Sequence, residues 1–182
     1  MEKQPKLNLP KPRLAVFLDA VALLVFAALL MYLFGQFASL PDKVPGHYNG
    51  AGEVDRWGSK IELFILPIIG AAMWVFMSIT EKYPHTFNYL NFSKEKAEAH
   101  YVNGVLMMNV LKNEIVLLFS FLTYQNIQVA IGKAEGLGAG FMPIFLAVIF
   151  GTVLFFYGPD DPDVKAREGS KQVRKRACFF FF

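Results

Sequence analysis

Four long apolar runs constrain this chain more than any other feature in it. They cover 14–38, 61–80, 104–130 and 140–157, each near the roughly 20 residues that a helix needs to cross a bilayer. Hydrocarbon offers no partner to a free N–H or C=O, so runs of this kind must satisfy their backbone internally as helices. The expected fold class is therefore all-α integral membrane: a four-helix transmembrane bundle, with a Pro/Gly-rich loop between its first two helices. The chain is 54% hydrophobic with a mean hydropathy of +0.37, above the roughly 45–50% apolar content of soluble domains. Its 182 residues are thus not read as one water-soluble core. The net charge of +3 is small, and the basic residues gather towards the two ends. That distribution points to anionic lipid and away from nucleic acid. The single cysteine, Cys178, leaves no partner for an internal disulfide. The first run is too long for a signal-peptide core and lacks a small-x-small cleavage site, so it is expected to stay as an anchor.

Residues 1–13 form a basic N-terminal segment in which Pro5, Pro10 and Pro12 forbid a helix until about Arg13. Residues 14–157 form the membrane domain, and 158–182 a basic tail ending in Cys178 and four phenylalanines. That tail could lie on an anionic leaflet. Pro67 inside the second run predicts a kink. Phe92 and Ser93 ahead of KEKAEAH predict a helix start with Ser93 as N-cap, and a short amphipathic helix leading into the third span. The N-terminal segment carries four Lys/Arg, the second connection three and the tail six; the first connection carries Lys43 and Arg56, with Lys60 at its edge, and the third only Lys133. This asymmetry places both termini in the cytoplasm and the first connection outside. Asn91-Phe92-Ser93 matches a glycosylation sequon, but on the cytoplasmic side it would go unused.

The first connection, Leu40 to Lys60, is the most unusual stretch. Pro41 and Pro45 stiffen its entrance, while Gly46, Gly50, Gly52 and Gly58 admit backbone angles that other residues resist. Its pattern is Leu40-Pro41-Asp42, then Pro45-x-His47-x-Asn49-x-x-Gly52-x-x-Asp55-x-Trp57-Gly58-x-Lys60. This pattern resembles a signature of small bacterial membrane proteins, catalogued as a domain of unknown function, that includes the SdpI-like immunity proteins. The resemblance implies a multi-pass protein of the bacterial cytoplasmic membrane. In the SdpI-like branch it implies immunity to a secreted toxin and sequestration of a repressor at the membrane. The chain has four spans where longer members have more.

Within the loop, His47, Glu53 and Asp55 are residue types that can ligate a divalent metal or exchange protons near neutral pH. Their spacing does not put them on one helix face, so convergence depends on how the glycines fold the loop. The plainer alternative has His47 and Asn49 bonding turn backbone, with Glu53 and Asp55 solvated or capping the next helix. No HExxH or CxxC pattern is present. No cofactor is predicted, and a divalent metal at these three residues is the one candidate. Trp57 and Lys60 suit the headgroup level, the ring apolar and the ammonium snorkelling; alternatively they form an aromatic and cationic patch for an outside ligand. Asp55 or Ser59 could cap the second helix.

In the third span, Asn109, Lys112, Asn113, Ser120, Thr123 and Tyr124 fall within about 120° of one another at 100° per residue. Lipid rejects such a stripe, so it should face the bundle interior or a wet cavity. Glu114 lies off that stripe and needs a partner elsewhere. One reading of the group is an ion, proton or ligand path. The other is interhelical hydrogen bonding, with Lys112 and Glu114 reaching the cytoplasmic interface. Asp19, the only acid of the first span, should face the interface or a partner such as Lys112.

Three functions fit these residues. The first is a binding, immunity or signalling protein that uses the outer loop and the polar stripe to hold a toxin peptide, a lipid or a regulatory protein. The second is an enzyme acting on a lipid or envelope precursor through His47 and Asp55, with Lys60 holding a phosphate. The third is a small transporter component, which would need a homo-oligomer.

Overall fold

The computed structural model describes residues 4–89 and 92–157. In chain order it contains α1 (Arg13–Phe37), strands β1 (Lys43–Tyr48) and β2 (Val54–Ser59), a 3-10 turn (Lys60–Phe64), α2 (Ile65–Thr80), α3 (Ala97–Ala130) and α4 (Phe141–Tyr157). Three helical units are long and apolar enough to cross a membrane: Arg13–Phe37, Lys60–Thr80 and Lys94–Ala130; the apolar helix Phe141–Phe156 is shorter. The chain is mainly helical but not all-α. The first connection folds as an antiparallel two-stranded sheet. The basic tail with Cys178, and Asn91 of the sequon, lie outside the described residues.

Local chemistry sets where the helices begin. Pro12 is extended (φ −57°, ψ 138°) and α1 starts at the next residue, because a proline contributes no N–H and suits a helix entrance. Ser59 and Glu62 form a capping box: the Ser59 hydroxyl accepts from the Ile61 N–H, and the Ser59 N–H donates to Glu62 Oε1 at 3.1 Å. Pro67 is the third residue of α2, where a missing N–H leaves no helical bond unmade. It stands just past the change from the 3-10 turn Lys60–Phe64 to α-helix at Ile65. Ser93 is extended ahead of a 3-10 turn at Lys94–Lys96, but makes no side-chain cap. The helix that follows runs 34 residues without interruption, about 51 Å at 1.5 Å per residue. The short amphipathic helix and the third span are one rod.

That rod, α3, is the hub against which α1, α2 and α4 each pack. Large apolar side chains point away from the interior, among them Leu24, Phe34, Ile68, Phe76 and Leu154, while Asn109, Lys112 and Thr123 are fully buried. This arrangement reverses that of a water-soluble domain and suits an apolar solvent. A small apolar cluster of Leu33, Leu40, Val44, Leu63 and Ile127 sits where α1, the hairpin and α3 meet.

The hairpin pairs Lys43 with Ser59, Val44 with Gly58, Pro45 with Trp57, His47 with Arg56 and Tyr48 with Val54. The register shifts on either side of His47, as bulges do when they re-aim side chains. Asn49 builds the turn: its Oδ1 accepts from the Ala51 and Glu53 N–H groups at 2.9 and 3.0 Å, and its Nδ2 donates to Glu53. The tip is tied to the connection between α3 and α4, since Leu137 N–H donates to Gly52 C=O at 2.7 Å. The Tyr48 hydroxyl donates to Asn126 at 2.7 Å.

Gly52 has φ 78°, and a Cβ there would lie 2.5 Å from the Gly138 carbonyl oxygen. A Gly52→Ala variant therefore pays the left-handed penalty of about 1–2 kcal/mol and must also push the two segments apart. Its melting temperature in detergent is expected to fall by several degrees. Gly50→Ala is the control and should melt like the parent, because a Cβ at Gly50 meets nothing within 4 Å.

Candidate functional site

The hairpin carries its polar residues in pairs. His47 Nδ1 and Asp55 Oδ1 are 2.7 Å apart, with 64% and 43% of their side chains exposed. Arg56 lies back across β1, donating to the Gly46 carbonyl at 2.7 Å and to Glu62 Oε2 at 3.0 Å. Gly46 leaves it room: a Cβ there would stand 2.7 Å from the guanidinium carbon and the Arg56 side chain would have to shift. Gly58 plays the matching part on β2, leaving room for the Glu62 carboxylate to fold back on Ser59. The Glu62 carboxylate thus accepts from both the Arg56 guanidinium and the Ser59 N–H. Burial pushes the Tyr48 hydroxyl up to about 12. Lys60 Nζ sits 3.4 Å from Asp42 and 5.5 Å from the centre of the Phe37 ring. Pro45 is buried with Val44, whereas Trp57 is half exposed and Pro41 and Asp42 face out.

Two expectations for this loop change. Glu53 turns to Asn49 and does not join His47 and Asp55. Among the described residues no three His, Cys, Asp or Glu side chains converge as a metal set, so the loop does not gather His47, Glu53 and Asp55. The second helix is capped by Ser59, while Asp55 faces His47 across the strands.

At the far end of the helices a second polar group lies inside. Lys112 Nζ is fully buried, 2.7 Å from Glu81 Oε1 and 3.1 Å from Asp19 Oδ1. It also donates to Ser78 Oγ at 2.9 Å and stands 4.6 Å from the centre of the Trp74 ring. Asn109 and Asn113 donate to Asp19 Oδ1 at 2.8 and 3.0 Å. Trp74 Nε1 donates to Asn113 Oδ1 at 3.0 Å. Lys11, on the segment before α1, closes the group at 2.5 Å from Asp19 and 2.9 Å from Glu81. Partial burial works against the Lys11 charge, but its bonds to Asp19 and Glu81 outweigh this and raise its pKa.

The stripe on α3 is buried at Asn109, Lys112, Asn113, Ser120 and Thr123, but Tyr124 is exposed beside Tyr32. Ser120 and Thr123 turn back to the carbonyls one turn earlier, of Val116 and Phe119. Lys112 is fully buried, whereas Glu114 accepts from the Thr152 hydroxyl at 2.5 Å and lines a groove of about 580 Å³ between α3 and α4. Glu81, Lys11, Ser78 and Trp74 are the participants that sequence reasoning passed over. Glu81 looked like the first residue of a loop and Lys11 like one more basic charge. The available signal was charge balance: a buried lysine needs an acid at a matching depth, and Glu81 directly follows an apolar run.

Residues 23–71 match the family model described as Domain of unknown function (DUF1648). An uncharacterized protein of Archaeoglobus fulgidus is 31% identical over 154 residues, covering 74% of this chain and 73% of its own length. The chain belongs to the same family as this Archaeoglobus protein. No solved structure matches it. The matched segment runs from the middle of α1 through the hairpin into α2, so it contains the hairpin but neither Asp19 nor Glu81.

Removing the Lys112 charge should expose what the inner network costs. Lys112→Met leaves two interior carboxylates facing Lys11 alone, and a loss of about 3–5 kcal/mol is expected from denaturation in detergent. Lys112→Met/Glu81→Gln should recover part of it.

Proposed function

We propose that this chain is a four-span protein of a prokaryotic cytoplasmic membrane that presents its hairpin outside as a rigid recognition surface, in the manner of an SdpI-like immunity or signalling protein. The ligand class is a toxin peptide, a lipid or a regulatory protein. The observation that supports this reading is the build of the hairpin. Bulges, the Asn49 turn, the Arg56 bridge and the Gly52–Leu137 bond fix its backbone, while His47, Asp55, Arg56 and Trp57 stay exposed. A surface ordered before binding loses little entropy on engagement, and an exposed Trp beside Arg has the composition of a binding hot spot. The positive-inside distribution of Lys and Arg places the termini in the cytoplasm. In a bilayer α4 serves as the fourth span, its apolar side chains facing outwards.

The exposed His47–Asp55 pair supports a second reading. A histidine oriented by a carboxylate is a proton-transfer unit, and at the outer face its substrate would be a lipid or envelope precursor.

Cells lacking this protein, challenged with toxins secreted by close competitors, should die, and the intact gene should rescue them. Trp57→Ala and Asp55→Ala should reduce rescue while their membrane levels match the parent. Equal survival of all strains would remove the immunity reading. Turnover on a panel of lipids, lost in His47→Ala, would favour the enzyme.

A further inference from the structure

Residues 4–12 contain no regular secondary structure. Pro5, Pro10 and Pro12 keep them extended, and they cross the end of the bundle as a strap. Few bonds hold it. Gln4 Nε2 donates to the Phe87 carbonyl at 3.0 Å, and the Tyr101 hydroxyl donates to the Pro5 carbonyl at 2.8 Å. Lys6, Leu7, Asn8 and Pro10 between these contacts and Lys11 are exposed. The third attachment is Lys11 itself.

The Lys11 ammonium reaches an unusual place. Its two acceptors are carboxylates whose side chains are only 14% and 4% exposed, while 36% of the Lys11 side chain is open. Behind them, Lys112, Asn109 and Asn113 are locked to the same two acids. Those inner partners belong to α3 and cannot leave. Lys11 sits on a strap that can.

With Lys11 in place, two lysines balance two carboxylates. Without it, Asp19 and Glu81 share Lys112, one negative charge is left over, and Asp19 Oδ2 and the buried Glu81 Oε2 lose the ammonium that stood 2.5 and 2.9 Å from them. In a site largely shielded from water, that excess charge is strongly attractive to a cation. The two acceptors, 2.5 and 2.9 Å from one nitrogen, suit a donor with several N–H groups on a narrow stem.

We propose that Asp19 and Glu81 form a primary-ammonium site which the chain's own Lys11 occupies as a displaceable plug, so that lifting the strap opens the two carboxylates to an amine from another molecule. The strap is thus an internal competitor for an incoming ammonium group, and the ligand class is a primary amine on an unbranched stem. This does not depend on what the hairpin binds, since the two regions lie at opposite ends of α1.

The test uses the full chain in lipid nanodiscs, where both faces are open to reagent, in a Cys178→Ser background. Ser78→Cys places a thiol where the Lys112 ammonium is now bonded, and a water-soluble maleimide reports access to the buried charge group. Lys11→Met, which keeps the stem and removes the charge, should raise the labelling rate by about tenfold, as losing one charge-assisted hydrogen bond implies. Tyr101→Phe, which loosens the strap without touching a charge, should give a smaller rise. In Lys11→Met, n-butylammonium should slow labelling again and tetramethylammonium at equal concentration should not. Adding Glu81→Gln should abolish that protection. A Ser39→Cys probe at the other end of α1 should label equally in all backgrounds, confirming intact folding. Labelling indifferent to both Lys11→Met and Tyr101→Phe would overturn the plug, and identical effects of the two cations would overturn the ammonium site.

Discussion

A lysine ammonium buried among helices has few stable arrangements, and the rest of this structure follows from the one it takes. Moving an ion from water to an apolar interior costs several kcal/mol even after relaxation. Lys112 offsets that cost by bonding Glu81 from the end of α2, Asp19 from α1 and Ser78 one turn inside α2. Each bond restricts the rotation and depth of one helix relative to α3. Apolar contacts alone are weak selectors among lipid-solvated helices, because the tails are as apolar as leucine. The polar contacts therefore do most to decide which faces meet.

The other end of the molecule is organised by backbone. Its polar groups lie at the surface, and specificity comes from close approach. Gly52 and Gly136 bring two chain segments within a distance that a Cβ on either would break. Gly46 and Gly58 leave room for the side chains of Arg56 and Glu62 to fold back over the strands. The result is a hairpin whose shape is set by missing atoms as much as by bonds. Both ends are joined through α3, which supplies Lys112 to one and Asn126 to the other.

Parts of this were legible from residue order. The apolar runs located α1 and α4 to within a residue or two, since a helix in hydrocarbon has little freedom over where it ends. The α3 stripe was legible for five of its six members, because 100° per residue is a rigid rule. Tyr124 departs because its ring lies beside Tyr32 and can stay at the surface. Of the two residues that could cap the second helix, Ser59 does so; the Ser59-x-x-Glu62 spacing, a capping-box pattern, favours it over Asp55. The hairpin was hidden by its own bulges. Strands announce themselves by alternation, and Gly46 and Asp55 each interrupt it.

By itself, the sequence determined that the chain makes long apolar helices, that a polar face on the third must turn inward, and that a rigid, glycine-rich segment separates the first two. These are consequences of solvent and of local geometry. Only the tertiary structure decided which charges meet. Lys11, Asp19, Glu81 and Lys112 are spread over 101 positions of the chain, and no local rule relates a strap lysine to an acid at the end of another helix. Their meeting is fixed by where the helices stop and how they pack, and by the cost of leaving any one of them unpaired.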